Sequence, residues 1–132
     1  MKHLKRFNES LRKGIEDKQK VDKLVGEYLA YLTDAGYHIR LQEARLISND
    51  NTASPLHRFI TVSFKNPTEV FKCEDIKYDF IPFLEILPKY FKIKKIEFHT
   101  LDYNKYEYSL DYLVEDKKEV TNEDLKYVLI YI

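Results

Sequence analysis

Tryptophan is absent from this chain of 132 residues, cysteine occurs once, and glycine and proline number only three and four. The lone Cys73 has no partner for an intrachain disulfide and no Cys or His at metal-ligand spacing. That excludes a disulfide scaffold and a paired-cysteine zinc site, and it points to a reducing compartment. Three isolated glycines make no phosphate-cradling loop. No segment approaches the ~20 apolar residues needed to cross a bilayer, and the N-terminus lacks the apolar stretch of a signal peptide. The expectation is a soluble, cytoplasmic protein with no cofactor, no metal site and no membrane contact.

A net charge is missing as well, because 22 basic and 22 acidic residues cancel. A dedicated duplex-DNA binder would be basic over a whole face, so the balance argues against one. The zero conceals an asymmetry. Residues 1–20 hold seven Lys/Arg against three acids, an excess of four positive charges, and the remainder carries fifteen bases against nineteen acids. With 44% hydrophobic and 33% charged residues the chain is too apolar for disorder, and its length suits one core. The organisation read from this is a basic amphipathic head over 1–14 and a single domain over 15–132.

Val21, Leu24, Val25, Tyr28, Leu29 and Leu32 recur at helical spacing and predict an amphipathic helix of about 18 residues, closed by Gly36 and interrupted toward its start by Gly14. The period then drops to two. Tyr37, Ile39 and Leu41 alternate with His38, Arg40 and Gln42, and a polar loop over 48–55 leads to a second strand over His57–Phe64, which predicts a hairpin. Ile76, Phe80, Phe83, Leu84, Leu87 and Phe91 mark a second helix, in which Pro82 predicts a kink or a late start. Strands follow over Ile93–Leu101 and Lys105–Val114, joined by a short turn. Thr121 and Asp124 resemble a capping box for a brief helical turn. The apolar run Tyr127–Ile132 predicts a terminal strand buried on both faces or nearly so, at an edge or in the centre of the sheet. The order α-β-β-α-β-β-β predicts an α+β two-layer sandwich, a mainly antiparallel sheet with two helices on one face.

Candidate chemistry is sparse. His38 and Arg40 share the polar side of the first strand and would meet His57 if the hairpin pairs in register. Histidines on the wet side of strands are mostly solvated, so no catalytic residue is assigned. Cys73 stands before a helix start, where the dipole lowers a thiol pKa, although a buried structural thiol is the commoner case. The 11 tyrosines and 8 phenylalanines raise base stacking as an option. Tyr106, Tyr108 and Tyr112, however, share a face with Leu110 and Val114 and fit core packing.

The head is different. Leu4, Phe7 and Leu11 fall at spacings of three and four with Lys2, Lys5, Arg6, Arg12 and Lys13 around them, a narrow apolar stripe on a nascent basic helix. The run Met1-Lys2-His3-Leu4-Lys5-Arg6-Phe7-Asn8-Glu9-Ser10 resembles the opening of many small uncharacterised proteins of tailed bacteriophages. More loosely, it is similar to the capsid-targeting N-termini of proteins packaged in myovirus heads. In that family a prohead protease cuts after Leu/Ile-x-Glu. Here Phe7-Asn8-Glu9 departs from the signal, and Leu41-Gln42-Glu43 and Leu113-Val114-Glu115 fall in or beside predicted strands. The resemblance implies host cytoplasm or virion as the location. The expected function is non-enzymatic: an accessory module docking a protein partner through Leu4, Lys5, Arg6 and Phe7, with a homodimer through a sheet edge as a further option. The alternative is a single-stranded nucleic-acid binder using the head and surface aromatics.

Overall fold

Apolar residues at intervals of three and four build α1, a helix of 27 residues over Lys2–Tyr28. The computed structural model describes residues 2–47, 53–115 and 119–132, with side chains described over 12–44, 57–115 and 119–132. Gly14 is not the break expected of it. A helical glycine costs only ~1 kcal/mol relative to alanine, which neighbouring turns absorb, and the helix runs through it from head to body. Leu29 leaves the helical conformation at φ −120° before α2, Ala30–Asp34, resumes for one turn. Gly36 then closes the unit at φ 101°, in the left-handed region that glycine enters without a Cβ clash.

Alternation takes over in β1 (Tyr37–Ile47) and β2 (Ala53–Phe64), an antiparallel hairpin in which Ile39 faces Val62 and Leu41 faces Ile60. Helix α3 (Cys73–Ile86) follows and ends in a 3-10 turn over Leu87–Lys89. Asp75 caps α3 by accepting from Lys72 N–H at 2.8 Å. Strands β3 (Lys95–Thr100) and β4 (Lys105–Tyr108) form the second hairpin, one-turn α4 spans Leu110–Val114, and β5 covers Leu125–Tyr131. The spatial order is β1-β2-β5-β3-β4, antiparallel throughout. All four helices contribute to one buried cluster with the sheet, through Val21 and Leu24, Leu32, Phe83 and Leu84, and Leu113. This is the expected α+β sandwich with every described helix on the same face.

Four local expectations are corrected or narrowed. The strand predicted over Lys105–Val114 stops at Tyr108, because Ser109 Oγ accepts from Tyr112 N at 3.2 Å and starts α4 instead. No helical turn forms at Thr121. Its Oγ1 accepts from Glu123 N at 3.2 Å in a local turn, and its own N–H donates to Tyr108 Oη at 3.0 Å. Pro82 neither delays nor ends α3, which begins nine residues earlier and runs on to Ile86, so the loss of one intrahelical hydrogen bond is tolerated there. The terminal strand takes the central of the two positions left open, between β2 and β3, with Val128 and Ile130 buried under the helices and Tyr127, Leu129 and Tyr131 half-buried on the other face. The sheet edges are therefore β1 and β4.

Candidate functional site

Two described surfaces are unaccounted for by the core. The first is the outer half of α1. Arg58 on β2 donates from Nη2 to Asp17 Oδ2 at 2.7 Å, and its Nε lies 3.4 Å from Glu43 Oε1 on β1, so one guanidinium fixes α1 against the hairpin. N-terminal to this tie, Arg12, Lys13, Ile15 and Glu16 are exposed, with Ile15 at 51%. By helical register, Ile15 continues the row Leu4, Phe7 and Leu11 at spacings of three, four and four. By the same register the row borders the core-facing side: Phe7 shares the azimuth of Val25, five turns on, and Ile15 lies about 80° from it. The side chains of Leu4, Lys5, Arg6 and Phe7 lie outside the described residues. Their backbone is part of α1.

The second surface is the face of the sheet turned away from the helices. The ladder sets its residues in three rows across the strands. One runs Gln42, Phe59, Tyr131, Lys95; the next Arg40, Thr61, Leu129, Glu97, Glu107; the last His38, Ser63, Tyr127, His99, Lys105. Phe59 and Tyr131 rings lie 5.7 Å apart, and His99 stacks on Tyr127 at 4.5 Å. At the centre, the Glu97 side chain is only 4% exposed. His99 Nε2 approaches one of its oxygens at 3.1 Å, while Lys95 Nζ and Lys105 Nζ lie 3.1 and 3.5 Å from the other. Burial alone would raise this carboxyl, but hydrogen bonds from His99, Lys95 and Tyr131 outweigh it and hold the pKa at about 2. Tyr131 is raised in turn, first by burial and then by its bond to Glu97. A carboxylate so saturated is ionised throughout the neutral range. Both of its oxygens are engaged, so it anchors the charge network of this face.

No protein-family model matches the chain, and no curated protein or solved structure is significantly similar to it. The reading of function therefore rests on the residues themselves.

The structure separates the residues that sequence spacing grouped as candidate chemistry. His38 and His57 do share the open face with Arg40, but His57 pairs with Ala44, six positions along β1 from His38, roughly 20 Å at the strand rise. Cys73 is 6% exposed at the first turn of α3, and burial, opposed by the Lys77 charge and aided by that of Glu74, pushes its thiol up to about 11. The dipole effect anticipated for it is overruled by desolvation. The cavity beside it measures about 20 Å³, room for one water. Two surface grooves of about 460 and 500 Å³ contain none of these three residues. Among the described residues no three His, Cys, Asp or Glu are grouped so as to hold a metal ion, and no helix is long and apolar enough to cross a membrane.

The aromatics of the open face are not those singled out from the sequence. Tyr108 packs against the core and stacks on Tyr112 at 5.3 Å, as expected of core packing, but Tyr106 of the same group stays exposed; Phe59, Tyr127 and Tyr131 face outward on the open side. Their signal was present in β2, where Phe59, Thr61 and Ser63 alternate with buried Ile60 and Val62. The cleavage-like triplets are also placed. Leu41-Gln42-Glu43 is interior to β1 and Leu113-Val114-Glu115 closes α4, with both leucines buried, so neither is presented as an accessible extended segment.

Proposed function

We propose that this chain is a non-enzymatic accessory module, of the kind its tailed-phage-like opening suggests, which docks a protein partner through the outer half of α1. The observation that carries the reading is Ile15, an apolar residue half exposed to water, in register with Leu4, Phe7 and Leu11 on a helix unbroken from Lys2. Amphipathic helices are read by grooves as anchors at such intervals. The tie between Arg58 and Asp17 holds the helix to the hairpin two residues beyond Ile15. Lys2, Lys5, Arg6, Arg12 and Lys13 suit an acidic groove and would speed encounter with it.

Single-stranded nucleic acid on the sheet aromatics is the other reading, favoured by the rings of Phe59, Tyr127 and Tyr131. It meets two carboxylates, Glu97 and Glu107, in the middle row of the same face. Two of the nearest lysines, Lys95 and Lys105, are already engaged by Glu97. Docking of a protein is the reading retained. Affinity capture with the full chain and with Leu4→Asp/Phe7→Asp tests it: the double substitution should release a partner retained by the parent. Identical captured sets would refute it.

A further inference from the structure

The open face of the sheet has a property that neither a groove-binding helix nor a polyanion needs: its charges and apolar groups complement themselves. Leu129 and Tyr127 on the central strand β5 are half-buried and outside the core cluster, so they form the apolar middle of the face. The charges of the middle row are arranged by sign. Arg40 is on one edge strand, β1, and Glu107 is on the other, β4, in the same row as Leu129; Lys95 of the same chain lies 3.4 Å from Glu107, whose side chain is still 56% exposed. Two copies related by a two-fold axis along β5 would set Leu129 on Leu129 and Tyr127 on Tyr127. The same axis brings Arg40 of each copy opposite Glu107 of the other. It also sets Phe59 across from Lys95, whose ammonium lies 4.8 Å over the Tyr131 ring of its own chain and is paired with Glu97 and Glu107.

A two-fold interface requires one patch that recognises itself, and this one does. Sheets packing face to face in this way lie ~10 Å apart with their strands nearly aligned. Five strands at ~4.8 Å and about 20 Å of strand length give a face on the order of 500 Å² in projection, within a factor of two of the ~800 Å² per partner of a standard interface. A phosphate backbone, by contrast, would confront Glu107 and compete with Glu97 for Lys95 and Lys105.

We infer that the chain forms a two-fold homodimer through the open face of its sheet, centred on Leu129, with Arg40 of one copy against Glu107 of the other. This leaves both α1 helices outside the interface and makes the docking module bivalent.

Sedimentation of the full chain from micromolar to near-millimolar concentration tests the inference. A concentration-dependent dimer is expected. Leu129→Lys should weaken it at least roughly tenfold, since two ammonium groups then meet on the axis. The substitution lies outside the core and gains Glu97 as a cross-strand neighbour, so far-UV circular dichroism should be unchanged. Arg40→Glu and Glu107→Arg should each weaken the dimer, and the two together should restore it. A parent that stays monomeric, a folded Leu129→Lys chain that still dimerises, or a charge swap that restores nothing overturns the inference. So does tight uptake of a labelled single-stranded oligonucleotide that Leu129→Lys strengthens, because that result assigns the face to nucleic acid.

Discussion

Arg58 holds Asp17 at 2.7 Å although the two lie 41 residues apart in sequence, and this contact ties α1 to the first hairpin. Both side chains are mostly shielded, at 24% and 18% exposure, so the pair is screened less than a surface ion pair. Removing one partner leaves the other desolvated without compensation. Asp17→Ala or Arg58→Ala should each cost about 1–3 kcal/mol in denaturant-midpoint experiments. In hydrogen exchange the loss should appear first in α1 rather than in β3 or β5. A double substitution costing the plain sum of the singles would show that the contact is idle.

Gly14 and Gly26 lie inside α1, and a Cβ at Gly14 would come no closer than 4.0 Å to Glu43 Oε1 while one at Gly26 would meet nothing. Neither position has a positive φ. Alanine at each should therefore stabilise the protein by about 0.5–1 kcal/mol, the helical penalty of glycine. The check is thermal or denaturant unfolding. A neutral or destabilising Gly14→Ala would mean that the helix does not run continuously through that position in solution.

The continuity of α1 and the place of β5 show where sequence reasoning ends. Val21, Leu24 and Val25 announce a helix, and Tyr37, Ile39 and Leu41 announce a strand, because one-sided burial imprints its period on the chain. Both hairpins were legible from short polar connections. Strand order was not. The pairing of β5 with β2 and β3 depends on contacts far apart in sequence, and alternation specifies which face a residue takes but not which strand lies beside it. Ser109 shows a different limit. The run Tyr106, Tyr108, Leu110, Tyr112 alternates as a strand does, yet one hydroxyl capping Tyr112 N–H turns its second half into a helix. As for the candidate surfaces, the α1 stripe was visible to Leu11 and the structure adds Ile15. Which aromatics lie on the open face is fixed by all the described helices packing on the other side, a matter of tertiary structure rather than of alternation alone.

Glu97 predicts an acid-sensitive contribution to stability. Its carboxyl titrates at about 2 in the folded protein against 4.5 when unperturbed. A depressed folded pKa means that the unfolded chain binds the proton first, so the contribution is complete above the unfolded value. It is lost as pH falls from about 5 toward 2. The difference corresponds to about 3 kcal/mol at neutral pH. Glu97→Gln should reduce neutral stability and flatten that part of the pH profile. Equal slopes for parent and variant between pH values of about 5 and 2 would contradict the assignment.

Cys73 should be inert while the protein is folded. Its thiol is buried and pushed up to about 11, so a negligible thiolate fraction is available near neutrality. A disulfide exchange reagent should modify it only slowly in native buffer and stoichiometrically in denaturant. Rapid native modification at neutral pH would contradict this placement.

The central claim, that the outer half of α1 meets a protein partner, is tested most directly by photo-crosslinking from position 15 of the full chain. With benzoylphenylalanine in place of Ile15, irradiation in cells that make the protein should yield a discrete heavier adduct. The same probe in place of Tyr78, which is 94% exposed on α3, should not yield it. No adduct from position 15, or the same adduct from both positions, would contradict the account.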